Sequence, residues 1–462
     1  MSLQLCAAEL DILQSPSPKA GLAGNGITDI IAGKDVIWLG TGHGLSAIRQ
    51  ERSTIVSYGP AQGVGRGSIS AVWANCDTVW VATSGDTLTK VSQGYLPFGT
   101  GISRSYDGGL TWSRFPQPGA TPVQNLSYDI AVLKGVVWIA SFGGGLSKSE
   151  DQGATWINVP PDSFIFDPGK RLNHRAFSVM AADDALWVGT AGGINKSIDQ
   201  GRTWTNFNHT NQSEPISGNF VVALAHQRTR SKSIVWAATW RAEGSNESYA
   251  VSKSENGGLS WQITLMDEKA HNFAFDDSVV YVATDNGLYK SIDYGKSWYV
   301  FPPITDGKTG ERVFSRDVYS AFARDGAVWA GTADGLAFTD NNGYTWDLYR
   351  AFKPTGVGNT PRTYAYPNPY SPLRHNLLNG EGHVRLQYNT TSATTVTVKI
   401  YDFAMDLVTT AAENKYCPAA GDYSEVWNGR NDYGDYVANG VYFYSVAIAG
   451  DGTYWGKIMI VN

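Results

Sequence analysis

Short apolar runs alternate with polar, glycine-marked turns along most of this chain, and that pattern predicts strands rather than helices. One run recurs seven times: an aromatic inside a β-rich stretch that closes on a small residue and Thr or Ser. It reads Val36-Ile37-Trp38-Leu39-Gly40-Thr41, Val136-Val137-Trp138-Ile139-Ala140-Ser141 and Val280-Tyr281-Val282-Ala283-Thr284, and the others centre on Trp80, Trp187, Trp236 and Trp329. All but the first are followed by a second phrase, Ser-x-Asp-x-Gly-x-Thr-Trp. It is spelled Ser105-Tyr106-Asp107-Gly108-Gly109-Leu110-Thr111-Trp112 in one copy and recurs at 149–156, 197–204 and 291–298, with Ser297 for the threonine. Looser copies at 254–261 and 339–346 carry Asn256 and Asn341 in place of aspartate.

A short polar residue, an Asx side chain and a glycine two positions on are what a tight hairpin needs. The Asx oxygen accepts from N–H groups of its own turn, and glycine adopts the positive φ. Asp107, Asp151, Asp199, Asn256, Asp293 and Asn341 are therefore expected to be turn formers, not catalysts or metal ligands. Each unit predicts four strands: an apolar inner one such as Ile27 to Ala32, the aromatic strand, a Gly-Leu-Ser-Lys-Ser type third strand, and a fourth from the phrase's tryptophan. Seven such sheets repeated at about 40 to 50 residues predict an all-β fold with a seven-bladed β-propeller over 21–352, behind an N-terminal extension at 1–20.

The repeats stop near Phe352, and a linker at 353–365 leads to alternating runs such as Val384-Arg385-Leu386-Gln387-Tyr388 and Val396-Thr397-Val398-Lys399-Ile400-Tyr401. These predict a small β-sandwich over 366–462 with its own core.

The turn phrase resembles the Asp-box, or BNR repeat, of sialidases, xyloglucanases, sortilin-type receptors and a photosystem assembly factor. That resemblance implies that the phrases lie between third and fourth strands, away from those families' active sites. The Pro367-Asn368-Pro369 opening, the Trp427-Asn428-Gly429-Arg430-Asn431-Asp432 stretch and Gly440-Val441-Tyr442-Phe443-Tyr444 resemble the immunoglobulin-like domain of the flagellar hook-capping protein. They are also similar to the C-terminal sorting domains of type IX secretion in Bacteroidetes, although the Trp-Asn-Gly-Arg stretch fits the hook-capping variety better. The resemblance implies that Trp427, Gly429, Gly434, Gly440 and Tyr442 shape the domain, and that the domain serves secretion or attachment at the outer surface of a Gram-negative cell.

Composition agrees with a rigid extracellular scaffold: 51 glycines, 16 tryptophans and 24 tyrosines, but only 17% charged residues. The net charge of −6 offers no basic footprint for nucleic acid. No apolar run is long enough to span a membrane. Cys6, Cys76 and Cys417 allow one pair at most and spell no metal knuckle, so no cofactor or metal is expected. The first residues lack a charged and an apolar signal region, as in a mature chain restarted behind an expression leader.

The candidate ligand face is the one opposite the turn phrases, where loops enter the inner strands. Aligned on the aromatic strand, Asn25, Arg66, Asn125, Arg175, Asn219, His271 and Arg316 fall at those entrances. An arginine fork matches carboxylate or sulfate, so these residues suggest an anionic ligand such as an acidic sugar; solvated loop charge or ion pairing between blades is the plainer reading. The loops from second to third strands add His43, Phe142, Trp240, Arg241, Asp285, Asn286 and Asp334. Trp240 would stack on a sugar or anchor a partner, or else pack beneath its own loop. Long entering loops at 158–175 and 302–316 and an insertion at 94–98 thicken this face.

Three functions fit. The first is a non-catalytic surface propeller binding a glycan or protein. The second is a glycoside hydrolase, needing two carboxyls about 5–9.5 Å apart, for which Asp285, Asp317, Asp334 and Glu243 are the candidates. Against it, the sialidase Arg-Ile-Pro phrase is absent, and Tyr319 has no assignable glutamate partner. The third is a sensor-type propeller, because 36–45 also resembles two-component regulator repeats. The first is favoured, with no carboxylate pair expected to face across a cleft.

Overall fold

The computed structural model describes residues 19–49, 54–88, 95–119, 124–242, 246–353, 355–356, 358, 360–375 and 381–461. Glu243, Cys6 and residues 1–18 of the N-terminal extension lie outside these. The chain divides into two compact units, Met1–Asn272 and Phe273–Asn462.

The first unit contains meander sheets in which each strand pairs with the next. In the first, Ile27–Ala32, Val36–Thr41, Gly44–Arg49 and Thr54–Tyr58 follow one another, and Lys19–Ala20 adds a fifth strand at the outer edge. In the second, the expected loop insertion instead lengthens the sheet: Thr78–Leu88 and Tyr95–Ser105 stay paired out to Leu88 and Tyr95. Three further four-stranded sheets begin at Ser127–Leu133, Ala176–Ala182 and Phe220–Arg228. Trp38, Trp80, Trp138, Trp187 and Trp236 of the aromatic strands are all buried. The cores are shared between successive sheets: Trp38 and Tyr58 pack with Ile69 and Val79 of the next sheet, and Trp138 with Val179 and Val188. Among the described residues these clusters each draw on two successive sheets, so a single sheet buries its apolar face only against its neighbour.

The turn phrases join third to fourth strands and staple neighbouring sheets. The Ser105 and Asp107 side chains are hydrogen-bonded at 2.7 Å, Ser105 Oγ accepts the Gly109 N–H at 2.8 Å, and Asp107 accepts the Thr111 N–H at 2.9 Å. The same bonds recur at Asp151, Asp199 and Asp293. Asn256 and Asn341 accept the same backbone N–H groups, and their amides donate to the Ser260 and Thr345 hydroxyls. These bonds hold the carboxyls of Asp151 and Asp199 at about 2, below their ordinary 3.8. Glycine is needed because the turn sits on the previous sheet's aromatic: a Cβ on Gly153, at φ +92°, would lie 3.0 Å from the Trp80 ring. Trp112 closes edge-on against Trp38 at 5.9 Å.

The second unit holds two more meander sheets, with inner strands Ala270–Asp276 and Val318–Arg324, packed through Tyr281, Phe301, Val313 and Trp346. A two-sheet sandwich follows. One sheet is Thr363–Tyr366, Val384–Thr390 and Gly421–Trp427; the other is Leu407–Cys417, Thr394–Tyr401, Gly440–Ile448 and Gly452–Ile460. Its core is rich in tyrosine, with Tyr370, Tyr388, Tyr423 and Tyr444 fully buried. Trp427 joins that core and donates its ring N–H to the Arg430 carbonyl at 2.8 Å, fixing the turn at Gly429. Among the described residues, no helix is long and apolar enough to cross a membrane.

Candidate functional site

One backbone device repeats at the entering ends. The pairing between inner and aromatic strands slips by a residue between Ile27 and Asp29, Ile69 and Ala71, Ser127 and Asp129, Ala176 and Ser178, Val221 and Ala223, and Val318 and Ser320. Each slip lies beside the partner of the Thr or Ser that closes the aromatic phrase: Thr41, Thr83, Ser141, Thr190, Thr239 and Thr332. A bulge leaves one residue outside the ladder and re-aims it. Those residues are Thr28, Ser70, Tyr128, Phe177, Val222 and Tyr319, so a constant backbone displays variable side chains. Single-sequence periodicity could not place them, because a bulge needs the partner strand's register to be seen.

In the first unit an aromatic row follows these bulges. Tyr128 contacts Phe177 at 5.5 Å, Phe177 contacts Phe142 at 5.9 Å and Phe220 at 4.3 Å, and Phe220 stacks on Trp240 at 6.1 Å. His271 and Tyr249 meet Trp240 edge-on. Trp240 is half-buried, one face covered by Phe220, with its ring N–H donated to the Ala270 carbonyl at 2.9 Å. Arg175 stands at its expected entrance but turns back on its own loop, donating to the Pro168 carbonyl at 2.6 Å and the Gly169 carbonyl at 3.2 Å, beside the Phe142 ring. Arg66, His43 and Arg241 are exposed.

Two other entrance residues are structural. Asn125 is buried between the Pro118 carbonyl and Ser141, and Asn219 is held by Glu247, which also accepts the Ala242 N–H at 2.7 Å. In the 158–175 loop the buried His174 accepts the Asp167 N–H on Nδ1, so Nε2 carries the proton and donates to Asp162 at 2.9 Å. Arg171 lies over the Phe164 ring at 3.4 Å.

Immediately after two of the bulges come Asp29 and Asp129, which periodicity did not single out. Inner-strand N–H groups that face away from the aromatic strand need acceptors, and these carboxylates supply them across sheets. Asp29 accepts from Val72 at 3.0 Å and Asp129 from Val179 at 2.9 Å. Burial pushes Asp29 up to about 6 against its bonds to Val72 and Ile30. It pushes Asp129 up to about 7, helped by the charge of Asp29.

In the second unit a cavity of about 560 Å³ opens at the entrance of Val318–Arg324. Tyr299, Pro302, Pro303 and Phe314 give it apolar walls, and Arg312, Arg316 and Asn286 give it polar ones. Arg312 and Arg316 are exposed and make no ion pair among the described residues. Beside it the Tyr319 hydroxyl is hydrogen-bonded to Asp317; burial, then the charges of Asp317 and Asp285, raise its pKa above 10. Both neighbours oppose formation of a tyrosinate.

Asp334, a candidate carboxylate by sequence, is corrected by the structure: it is buried in an ionic ring. It pairs with Arg350 at 3.0 Å and with Arg385; Arg350 also pairs with Glu311. Glu311 accepts from the Ser424 N–H at 2.5 Å, and Arg385 donates to Ser424 Oγ at 2.9 Å, closing the ring. Asp306 is likewise consumed, accepting the N–H groups of Lys308, Thr309 and Leu348. Among the described residues there is no cluster of three His, Cys, Asp or Glu suited to a metal, and Cys76 and Cys417 are free thiols.

Residues 374–452 match the FlgD Ig-like domain. No curated protein matches the chain. Among solved structures it is similar to a GH74 enzyme from Niastella koreensis, at 13% identity and a TM-score of 0.56 over 97% of this chain and 75% of that one. It is also similar to the GH74 xyloglucanase from Xanthomonas campestris, at 16% identity and a TM-score of 0.52 over 74% of this chain and 56% of that one. An ancestral GH74 enzyme matches at 14% identity and a TM-score of 0.51, over 96% of this chain and 63% of that one. At such identities the likeness concerns the fold: an all-β chain with a β-propeller of four-stranded sheets and a C-terminal Ig-like sandwich.

Proposed function

We propose that this protein is a secreted or cell-surface propeller, its turn phrases serving as Asp-boxes of a seven-bladed ring. It binds a glycan or protein ligand at the entering ends and uses its Ig-like domain for secretion or attachment. The observation that carries this reading is how the charged groups there are employed. Asp334 and Asp306 are tied up in structural bonds and Tyr319 is held protonated between carboxylates, whereas Arg312 and Arg316 stand exposed at an aromatic-walled cavity. That set suits recognition of a ligand, and the remaining acids beside it, Asp285 and Asp317, flank a tyrosine they keep protonated.

A glycan array, run beside assays with a fluorogenic sialoside and xyloglucan, tests it. Binding without turnover is expected. Turnover that disappears in Asp317→Ala would replace this reading with a hydrolase, and binding to no saccharide would move the ligand to a protein partner. For the Ig-like domain, fractionation of the native host compares the wild type with a variant lacking the exposed Phe403 and Trp455 side chains. Loss from the surface fraction is expected, and unchanged retention argues against attachment through that face.

A further inference from the structure

The cavity at Val318–Arg324 has a neighbour on the Ig-like sandwich, about 420 Å³ in volume, and Phe314 lines both. Phe314 is 44% exposed, its ring 6.2 Å from His383 and 5.4 Å from the Arg385 guanidinium. The walls on either side cannot slide, because the ring of Asp334, Arg385, Ser424, Glu311 and Arg350 joins the last propeller sheet to the Val384–Thr390 and Gly421–Trp427 strands. We propose that the two cavities are one groove, built jointly by propeller and Ig-like domain, and that its occupant is an acidic oligosaccharide.

This rests on the reading that the entering ends bind a ligand, and it specifies the ligand's chemistry. At the propeller end the exposed Arg312 and Arg316 present forks for a carboxylate, while the nearby acids Glu311 and Asp334 are neutralised within the ring. Between the ends, the half-exposed faces of Tyr299 and Phe314 give flat apolar surface of the kind that covers a sugar ring. At the Ig-like end the lining offers hydroxyl and amide groups, Thr409, Thr410 and Asn428, and one carboxylate, Asp432, while Arg430 is already paired with Glu381 at 3.3 Å. The free positive charge therefore sits at the propeller end, where the ligand's acidic group belongs, and the Ig-like end suits its uncharged hydroxyls. Together the cavities fall in the size range of ligand sites, roughly 300–1,000 Å³.

Calorimetric titration of the full chain with an oligogalacturonate and with its methyl-esterified, neutral counterpart tests the proposal. The acidic form is expected to bind at least about tenfold more tightly, with affinity falling as salt rises. The Arg312→Ala, Arg316→Ala double variant should erase that difference, and Thr410→Glu, placed at the Ig-like end, should weaken binding severalfold while unfolding at the wild-type temperature. Equal affinity for both sugars would overturn the anionic ligand while leaving the ligand-binding function standing. Unchanged binding in Thr410→Glu would overturn the joint groove. Binding of a peptide but of neither sugar would overturn the saccharide, and absence of any ligand at all would sink the function with it.

Discussion

At the turn ends of the sheets, Asp107, Asp151 and Asp199 each accept the same backbone N–H four residues on, and the side-chain chemistry scarcely varies from copy to copy. At the entering ends the backbone repeats just as faithfully, with a bulge at one register, but the displayed residues change from Thr28 to Tyr128 to Phe177 to Tyr319. Where every copy performs the same packing task, the sequence is held constant. Where the displayed side chain has no such shared task, it differs from copy to copy. Repetition thus marks scaffold, and variation on a repeated backbone marks the ends proposed for ligand binding.

The comparison can be broken most severely at Asp334, an entering-end carboxylate in a structural role. Asp334→Ala leaves Arg385 buried without its counter-ion and Arg350 with only Glu311, and should cost about 3–5 kcal/mol in denaturant unfolding. A second effect separates the two ends by pH. Because the folded protein holds the protons of Asp29 and Asp129 up to about 6 and 7, against an ordinary 3.8, these groups favour the folded state at low pH. Their contribution is lost as pH rises from about 4 to 7, a decline of about 2 kcal/mol or more. The turn aspartates act oppositely: with pKa values near 2, Asp151 and Asp199 stabilise above pH 4 and lose that as pH falls. Asp129→Asn should flatten only the neutral limb of a stability–pH curve, and Asp199→Asn only the acid limb.

Smaller effects follow. Gly153→Ala, forcing a Cβ towards Trp80 at a positive φ, should cost about 1–3 kcal/mol by thermal unfolding. Asp107→Ala removes the acceptor of its turn, at about 1–2 kcal/mol. Arg316→Ala should move stability by less than about 0.5 kcal/mol yet lower ligand affinity, and a large loss of stability there would place Arg316 with the scaffold.

Much of the scaffold was legible in the chain because it is local. The bonds of a turn phrase join residues at most four apart, so Ser105, Asp107, Gly109 and Thr111 announce their geometry in order. The aromatic strands were equally plain, since Trp38, Trp138 and Trp236 meet the same burial in every copy. The entering face was readable only as a set of positions. Alignment put Arg175 and Arg316 at their entrances, but whether a guanidinium folds back on its loop, as in Arg175, or stays exposed, as in Arg316, depends on which carbonyls and rings the tertiary structure brings beside it.

The amino-acid sequence by itself determined the repeating sheets, their turns and the presence of a second, sandwich-like domain, because hydrophobic period and turn chemistry act over a few residues. The tertiary structure alone decided which acids are spent. Asp334 and Arg385 are 51 residues apart, and Asp129 and Val179 are 50 apart, and only folding sets them in contact. Charge pairing in a dry interior works over ångströms of space, not over positions in the chain.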